Sequence, residues 1–183
     1  ADGKAPICLF DADQQTVRRF LGRGRTHCMA WIGVGCDEVT CTSLAPMTVA
    51  SLVDEVKRLP PLQRPSVVFL CLQHGAQRAA ARLSTSGVQC IFWLRCDDKL
   101  RPHDLVTRII DPVLDSLHSG AQGAAECFRQ AHGGVSSVSG GGIVGNAACV
   151  PWDAAWFAGG GSGKILPWLQ NETTPLRPNN LVD

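Results

Sequence analysis

Pro65-Ser-Val-Val-Phe-Leu-Cys-Leu-Gln-His-Gly75 decides how this chain is read. Ser66 to Leu72 is an unbroken run of strongly β-forming and apolar residues, the composition of a strand buried on both faces. It stops at a polar tip, Gln73-His74, and a glycine, and an Ala/Arg-rich helical segment starts at once. In open α/β folds, ligands and chemistry collect at the carboxyl ends of such strands. The residue at this strand end is Gln73, with Cys71 and His74 on either side, so the loop has a catalytic shape without an evident catalytic residue.

Working outward, three further apolar runs read as strands: Ala5 to Phe10, Thr26 to Val34 and Val88 to Leu94. Helical periodicity fills the intervals. Gln14 to Leu21 carries Val17, Phe20 and Leu21 on one side, with Asp13 placed as N-cap. Pro46 to Leu59 sets Met47, Leu52, Val53, Val56 and Leu59 near one stripe and turns Asp54, Glu55, Lys57 and Arg58 away, the pattern of an amphipathic helix. Ala76 to Ser86 is Ala-rich and ends at Gly87, which suits a left-handed cap. His103 to His118 repeats apolar residues from Leu105 to Leu117, with Pro112 expected to kink the helix and Gly120 to end it. Ala121 to Ala131 reads as a shorter helix before the glycine-rich segment Gly133 to Gly145; beyond it, Ala147 to Val150 reads as an edge strand and Trp152 to Phe157 as a turn of helix. Strands alternating with helices predict an α/β fold, a three-layer α/β/α sandwich with a mostly parallel central sheet. Its expected extent is 1–158, with 159–183 a flexible tail rich in Gly, Pro and Asn.

Composition narrows the function classes. The 183 residues are 45% hydrophobic and 18% charged, which fits one folded domain rather than a disordered chain. A net charge of +1 offers no electrostatic case for nucleic acid or an anionic membrane, both of which call for a clustered basic excess. Arg18, Arg19, Arg23 and Arg25 form a small basic cluster, read as a solvated helix face and turn. No run approaches the length of a bilayer span, and no signal-peptide pattern opens the sequence. The chain does not begin with Met, which is read as a piece of a longer protein or a processed one. Nine cysteines, an odd number partly embedded in apolar runs, read as reduced thiols of an intracellular, cytoplasmic protein. Neither Cys36 to Cys41 nor Cys90 to Cys96 has the paired spacing of a zinc site. No metal or cofactor is expected.

Other motifs resolve to bland readings. Gly159-Gly-Gly-Ser-Gly-Lys164 lacks the first glycine of a phosphate loop and the Ser or Thr after the lysine, and no strand precedes it. Gly33-Val-Gly35 lacks the third glycine of a dinucleotide fingerprint. Asn171-Glu-Thr173 is formally a glycosylation sequon in a polar tail. Trp31 and Trp93 lie inside strand runs and are assigned to the core; Trp152, Trp156 and Trp168 either pack back on the sheet or anchor a partner. A cysteine nucleophile needs a histidine within hydrogen-bond reach. Cys71 with His74 is one candidate pair, although Cys71 sits two residues inside the strand; His74 with Cys36 is another. His27 and Cys28 would point to opposite faces of a strand and cannot pair with each other.

Taken in order, Leu44 to Leu59, Ser66 to Gly75 and Arg78-Ala-Ala-Ala-Arg-Leu-Ser-Thr-Ser-Gly-Val-Gln-Cys-Ile-Phe-Trp-Leu94 resemble the caspase-like cysteine peptidases, most closely their CHAT branch. Trp93 with Asp97 and Asp98 looks like the exit of the strand that follows the nucleophile helix. His103 to Leu117, Ser119-Gly120 and Ala124 to Ala131 are similar to that family's later helices. Met29-Ala-Trp-Ile-Gly-Val-Gly35 looks like the strand that ends in the family's Gly-His-Gly. The resemblance spans roughly residues 26 to 132. Carried over residue by residue, it places the family's histidine at Val34 and its cysteine at Gln73. Valine cannot relay a proton and an amide is not a competent nucleophile, so the resemblance implies a pseudopeptidase. Such a domain would bind other proteins or peptide segments through Gly33, Val34, Gly35, Cys36, Gln73, His74 and Gly75, as part of a longer chain or complex. Two readings compete with it. One is a divergent active endopeptidase that uses Cys71 or Cys36 with His74 or His27. The other is a plain flavodoxin-like or Toll/interleukin-receptor-like sandwich.

Overall fold

The computed structural model describes residues 14–22, 28–32, 35–36, 39–40, 48–97, 99, 102–119 and 123–146. The expected strand Ala5 to Phe10, the edge strand Ala147 to Val150, the helical turn Trp152 to Phe157 and the tail 159–183 lie outside the described residues.

The chain runs through helix α1 (Gln14–Leu21), strand β1 (Cys28–Ile32), a small hairpin of β2 (Gly35–Cys36) and β3 (Val39–Thr40), helix α2 (Val49–Arg58), β4 (Val67–Leu72), α3 (Ala76–Ser84) and β5 (Cys90–Cys96). It continues through α4 (Pro102–Leu105), a π-helical turn (Val106–Ile110), α5 (Asp111–Ser119), α6 (Ala124–Gly133) and β6 (Val138–Gly145). Among the described residues the main sheet has four strands in the order β1-β4-β5-β6. The first three are parallel, with Ile32 opposite Cys71 and Cys71 opposite Leu94, and β6 closes the sheet antiparallel to β5. The fold is therefore α/β with a mostly parallel sheet.

Every residue of β4 is buried, as its unbroken apolar run requires for a strand covered on both faces. Alternate residues serve two cores. Val67, Phe69 and Cys71 join Cys90, Phe92, Leu94 and Cys96 against Leu105, Ile109, Val113, Leu117 and Phe128 of the later helices. Val68, Leu70, Leu72 and Ile91 join Trp31 against α1, α2 and α3. Phe92 lies at the centre of the first core, its ring 5.0 Å from Phe69 and 4.9 Å from Phe128.

Local chemistry explains the boundaries. Helix α2 starts after Thr48, whose Oγ1 accepts a hydrogen bond from the Ser51 amide at 3.0 Å, satisfying one of the orphan donors of a helix start. Its far end is tied by Arg64, which donates to the carbonyls of Leu59 and Lys57. Glu55, assigned by pattern to the solvent side of this helix, is buried instead. Its carboxylate accepts from Gln14 Nε2 at 2.8 Å, from Arg18 Nε at 2.9 Å and Nη2 at 2.7 Å, and from Arg58 Nη1 at 2.7 Å. A charge is tolerated out of water when its lone pairs are filled this way, and this one pins α1 to α2.

Several expectations need correction. Of the strand expected at Thr26 to Val34, Cys28–Ile32 is described as strand and the flanking residues lie outside the described residues, while the fourth ends two residues later than Leu94, so Arg95 and Cys96 belong to β5. The kinked helix expected around Pro112 is three segments, with the π turn just before the proline. The amide of Asp111 bonds to the carbonyl of Val106, five residues back. Widening the helix in this way accommodates a proline ring that would collide with the carbonyl four residues earlier in an α-helix. The glycine-rich segment, not read as a strand, supplies β6. Its glycines answer to β5: a Cβ on Gly142 would meet the Trp93 indole at 2.8 Å, and one on Gly141 would lie 3.0 Å from Leu94 Cδ2. Trp93, assigned to the core, is only half-buried on this side of the sheet.

Candidate functional site

The β4–β5 ladder ends at the pair Leu72 and Arg95. At this end of the ladder an open pocket of about 390 Å³ is lined by Gln73, His74, Arg95, Cys96, Asp97 and Ser139. It occupies the carboxyl ends of adjacent parallel strands, the position where open α/β sheets bind ligands.

Each lining residue is placed by an identifiable device. Gly75 has φ +69°, a left-handed conformation that glycine adopts without steric cost. This turns the chain from the strand tip into α3, where the Gly75 carbonyl accepts from the Ala79 amide at 2.9 Å. Gln73 is left half-buried and His74 exposed. Opposite them, the β5–β6 register shifts between Arg95 and Cys96: Arg95 pairs with Gly140 and Cys96 with Val138, so Ser139 is the extra residue. Such bulges re-aim side chains beside sites. Here the Ser139 hydroxyl accepts from Arg95 Nε at 2.8 Å and lies 3.3 Å from the Arg95 carbonyl, to which it donates. The Asp97 amide donates to the Ser137 carbonyl at 2.9 Å, and Asp97 Oδ1 accepts from the Lys99 amide at 2.9 Å. The rim thus holds a cation at Arg95, an anion at Asp97, an imidazole at His74 and the amide of Gln73.

Cys71 lies below this rim with 1% of its surface exposed, and Cys96 is 5% exposed at the pocket wall. The neighbouring Cys96 thiol and burial together hold the Cys71 pKa well above the ordinary thiol range. Thiolate is the nucleophilic form, so Cys71 is a proton-retaining core thiol. Burial also pushes Cys28 and Cys90 up to about 12.

Of the residues singled out in the sequence, Gln73 and His74 line the pocket and Gly75 forms its turn. Cys71 sits beneath, in the core. Gly35 and Cys36 form a short ladder with Val39 and Thr40. Gly33, Val34 and His27 lie outside the described residues. Arg95, Cys96, Asp97 and Ser139 were not among the candidates. The signal for three of them was present in Leu94-Arg-Cys-Asp97, where charge interrupts the apolar run as a strand leaves the core. Ser139 carries no comparable signal, because only pairing with β5 reveals the bulge. Among the described residues no group of three or more His, Cys, Asp or Glu is placed to hold a metal ion, and no described helix is long and apolar enough to cross a membrane.

Compared with protein-family models, with curated proteins and with solved structures, the chain matches none.

Proposed function

We propose that the chain is a caspase-like α/β/α domain that has lost peptidase chemistry and binds segments of other proteins at the strand-end pocket. The observation that carries this reading is the composition of the pocket. Where a nucleophile would stand, at the tip of the central strand, there is the amide of Gln73, while Cys71, the nearest thiol along the strand, is buried and keeps its proton. The remaining rim has donors and acceptors of both signs, suited to peptide main chain and polar side chains. Folds outlast their sites because packing sets the core and a few loop residues set the activity. The helices on both faces of β4 and the order of elements from β1 to α6 support the caspase-like assignment. The alternative, a relocated Cys71 and His74 pair, needs a thiolate at a residue whose surroundings favour the thiol.

The reading predicts no cleavage of a diverse peptide library and retention of a subset of those peptides by the immobilised chain. Retention should weaken in the Gln73→Ala and Arg95→Ala variants. Rapid, selective labelling of Cys71 by an electrophilic peptide would overturn it in favour of the active enzyme.

A further inference from the structure

The connection between α2 and β4 carries Pro60-Pro61-Leu62 and enters the sheet at the amino end of β4, opposite the end that holds the Gln73 pocket. All three residues are exposed. Leu62 is 82% exposed and is, among the described residues, the one large hydrophobic side chain left facing water. The basic residues Lys57 and Arg58 precede the turn at the end of α2. We infer that this turn is a docking site for a partner domain whose groove is lined by aromatic side chains and rimmed by carboxylates, of the kind that receives proline-rich segments.

Local geometry makes the turn a preformed ligand. Leu59 has φ −74° and ψ 143°, and Pro60 has φ −53° and ψ 144°, the extended conformation of polyproline II. The chain then closes one 3-10 turn over Pro61–Gln63. There the Gln63 amide donates to the Pro60 carbonyl at 2.8 Å and the Arg64 amide to the Pro61 carbonyl at 3.4 Å. Arg64 locks the turn, its Nε and Nη2 donating to the carbonyls of Leu59 and Lys57, each at 3.1 Å. None of these bonds involves the side chains of Pro60, Pro61 or Leu62. A segment ordered before contact loses little conformational entropy on binding, and aromatic-lined grooves receive proline-rich chain in this extended form. Gln63 stands three residues after Pro60, where a P-x-x-P ligand carries its second proline; Leu62, raised on the turn, supplies the second apolar contact. Charge sets the rim of the groove. Arg18 and Arg58 share the single carboxylate of Glu55, and Lys57 adds a further exposed cation beside the exposed Asp54. The excess is positive, and carboxylates around the partner's groove complement it. This inference is independent of what the strand-end pocket binds.

The test presents the full chain to an immobilised panel of purified SH3 and WW domains and measures affinity by biolayer interferometry. The expected result is micromolar binding confined to members with acidic grooves. Leu62→Ala weakens it roughly 10- to 100-fold, the scale of losing one buried leucine. Pro61→Ala weakens it roughly two- to fivefold by loosening the free turn. Lys57→Glu does so by a similar factor, roughly that of an exposed charge contact, and makes the salt dependence shallower. Gln77→Ala, an exposed change on α3, leaves the affinity unchanged. Thermal unfolding of each variant checks that the fold is retained. The inference is overturned if no panel member binds, or if Leu62→Ala binds as wild type does. It is also overturned if the Leu62-dependent contact proves to be self-association in sedimentation, or adsorption to phosphatidylserine–phosphatidylcholine vesicles.

Discussion

Removing the charge of Glu55 should make the domain less stable at neutral pH and much less sensitive to acid. Its side chain is 1% exposed and its carboxylate accepts hydrogen bonds from Gln14, Arg18 and Arg58. The Arg18 guanidinium is the main cause of a carboxyl pKa lowered from 4.5 to about 2. The sign is that of a depressed acid. The folded state holds fewer protons than the unfolded state between these values, so the stabilisation is complete above the unfolded pKa and is lost as pH falls from about 4.5 toward 2. The whole shift, at 1.36 kcal/mol per unit, sets a ceiling of about 3 kcal/mol. Arg18 and Arg58 are 55% and 59% exposed, so solvent screening brings the expected contribution to about 1–2 kcal/mol. Urea unfolding followed by tryptophan fluorescence at pH 7, 5, 3.5 and 2.5 measures it. Wild type should lose about 1 kcal/mol more than Glu55→Gln between pH 5 and 3.5, and Glu55→Gln should already be weaker at pH 7. Parallel pH profiles for the two proteins would refute the argument that this carboxylate pins α1 to α2.

Gly142→Ala should cost about 1–3 kcal/mol and shift tryptophan emission, because the added Cβ meets the Trp93 indole at 2.8–2.9 Å; Gly140→Ala, with nothing within 4 Å, should be far milder, and equal effects would count against the close packing of β6 on Trp93. Phe92→Ala removes the middle ring of the Phe69, Phe92 and Phe128 stack and should lower stability by about 3–5 kcal/mol in denaturant titration; a loss under 1 kcal/mol would place the core elsewhere. Thr48→Ala should cost about 1 kcal/mol through the lost bond to the Ser51 amide, while Thr48→Ser should recover most of it. Burial pushes the Cys90 thiol up to about 12, so iodoacetamide at pH 8 should leave it unlabelled until urea unfolds the chain; labelling of the folded protein would contradict that burial.

Much of the scaffold was legible before any coordinates. Ser66 to Leu72 announced a doubly covered strand through uninterrupted apolarity, and the stripe Leu52, Val53 and Val56 announced a helix; both appear with shifts of a few residues at their ends. Ends are harder because a cap or a ladder's last pair depends on partners, as with Thr48 and Ser51 or Leu72 and Arg95. The site was half legible. The polar tip at Gln73 and His74 stood out against the strand before it, whereas Arg95, Cys96, Asp97 and Ser139 come from another strand, its exit and its bulged neighbour.

Two residues show where local pattern gives way. Glu55 belongs by periodicity to the solvent side of α2, yet Arg18 and Gln14, about forty positions earlier, enclose it. Val138 to Gly145 has the composition of a loop, yet it is a strand, because the Trp93 side chain on β5 leaves room only for glycine at position 142. Hydrophobic periodicity is a property of neighbours in sequence, so the sequence alone determined the α/β class, the central strand and its polar Gln73-His74 tip. The packing of Cys71 and Cys96 into one core, the burial of Glu55 and the assembly of the pocket from two strand ends and a bulge are properties of neighbours in space. Only closure of the sheet β1-β4-β5-β6 decided them, because contacts across strands depend on register and twist, which no single segment encodes.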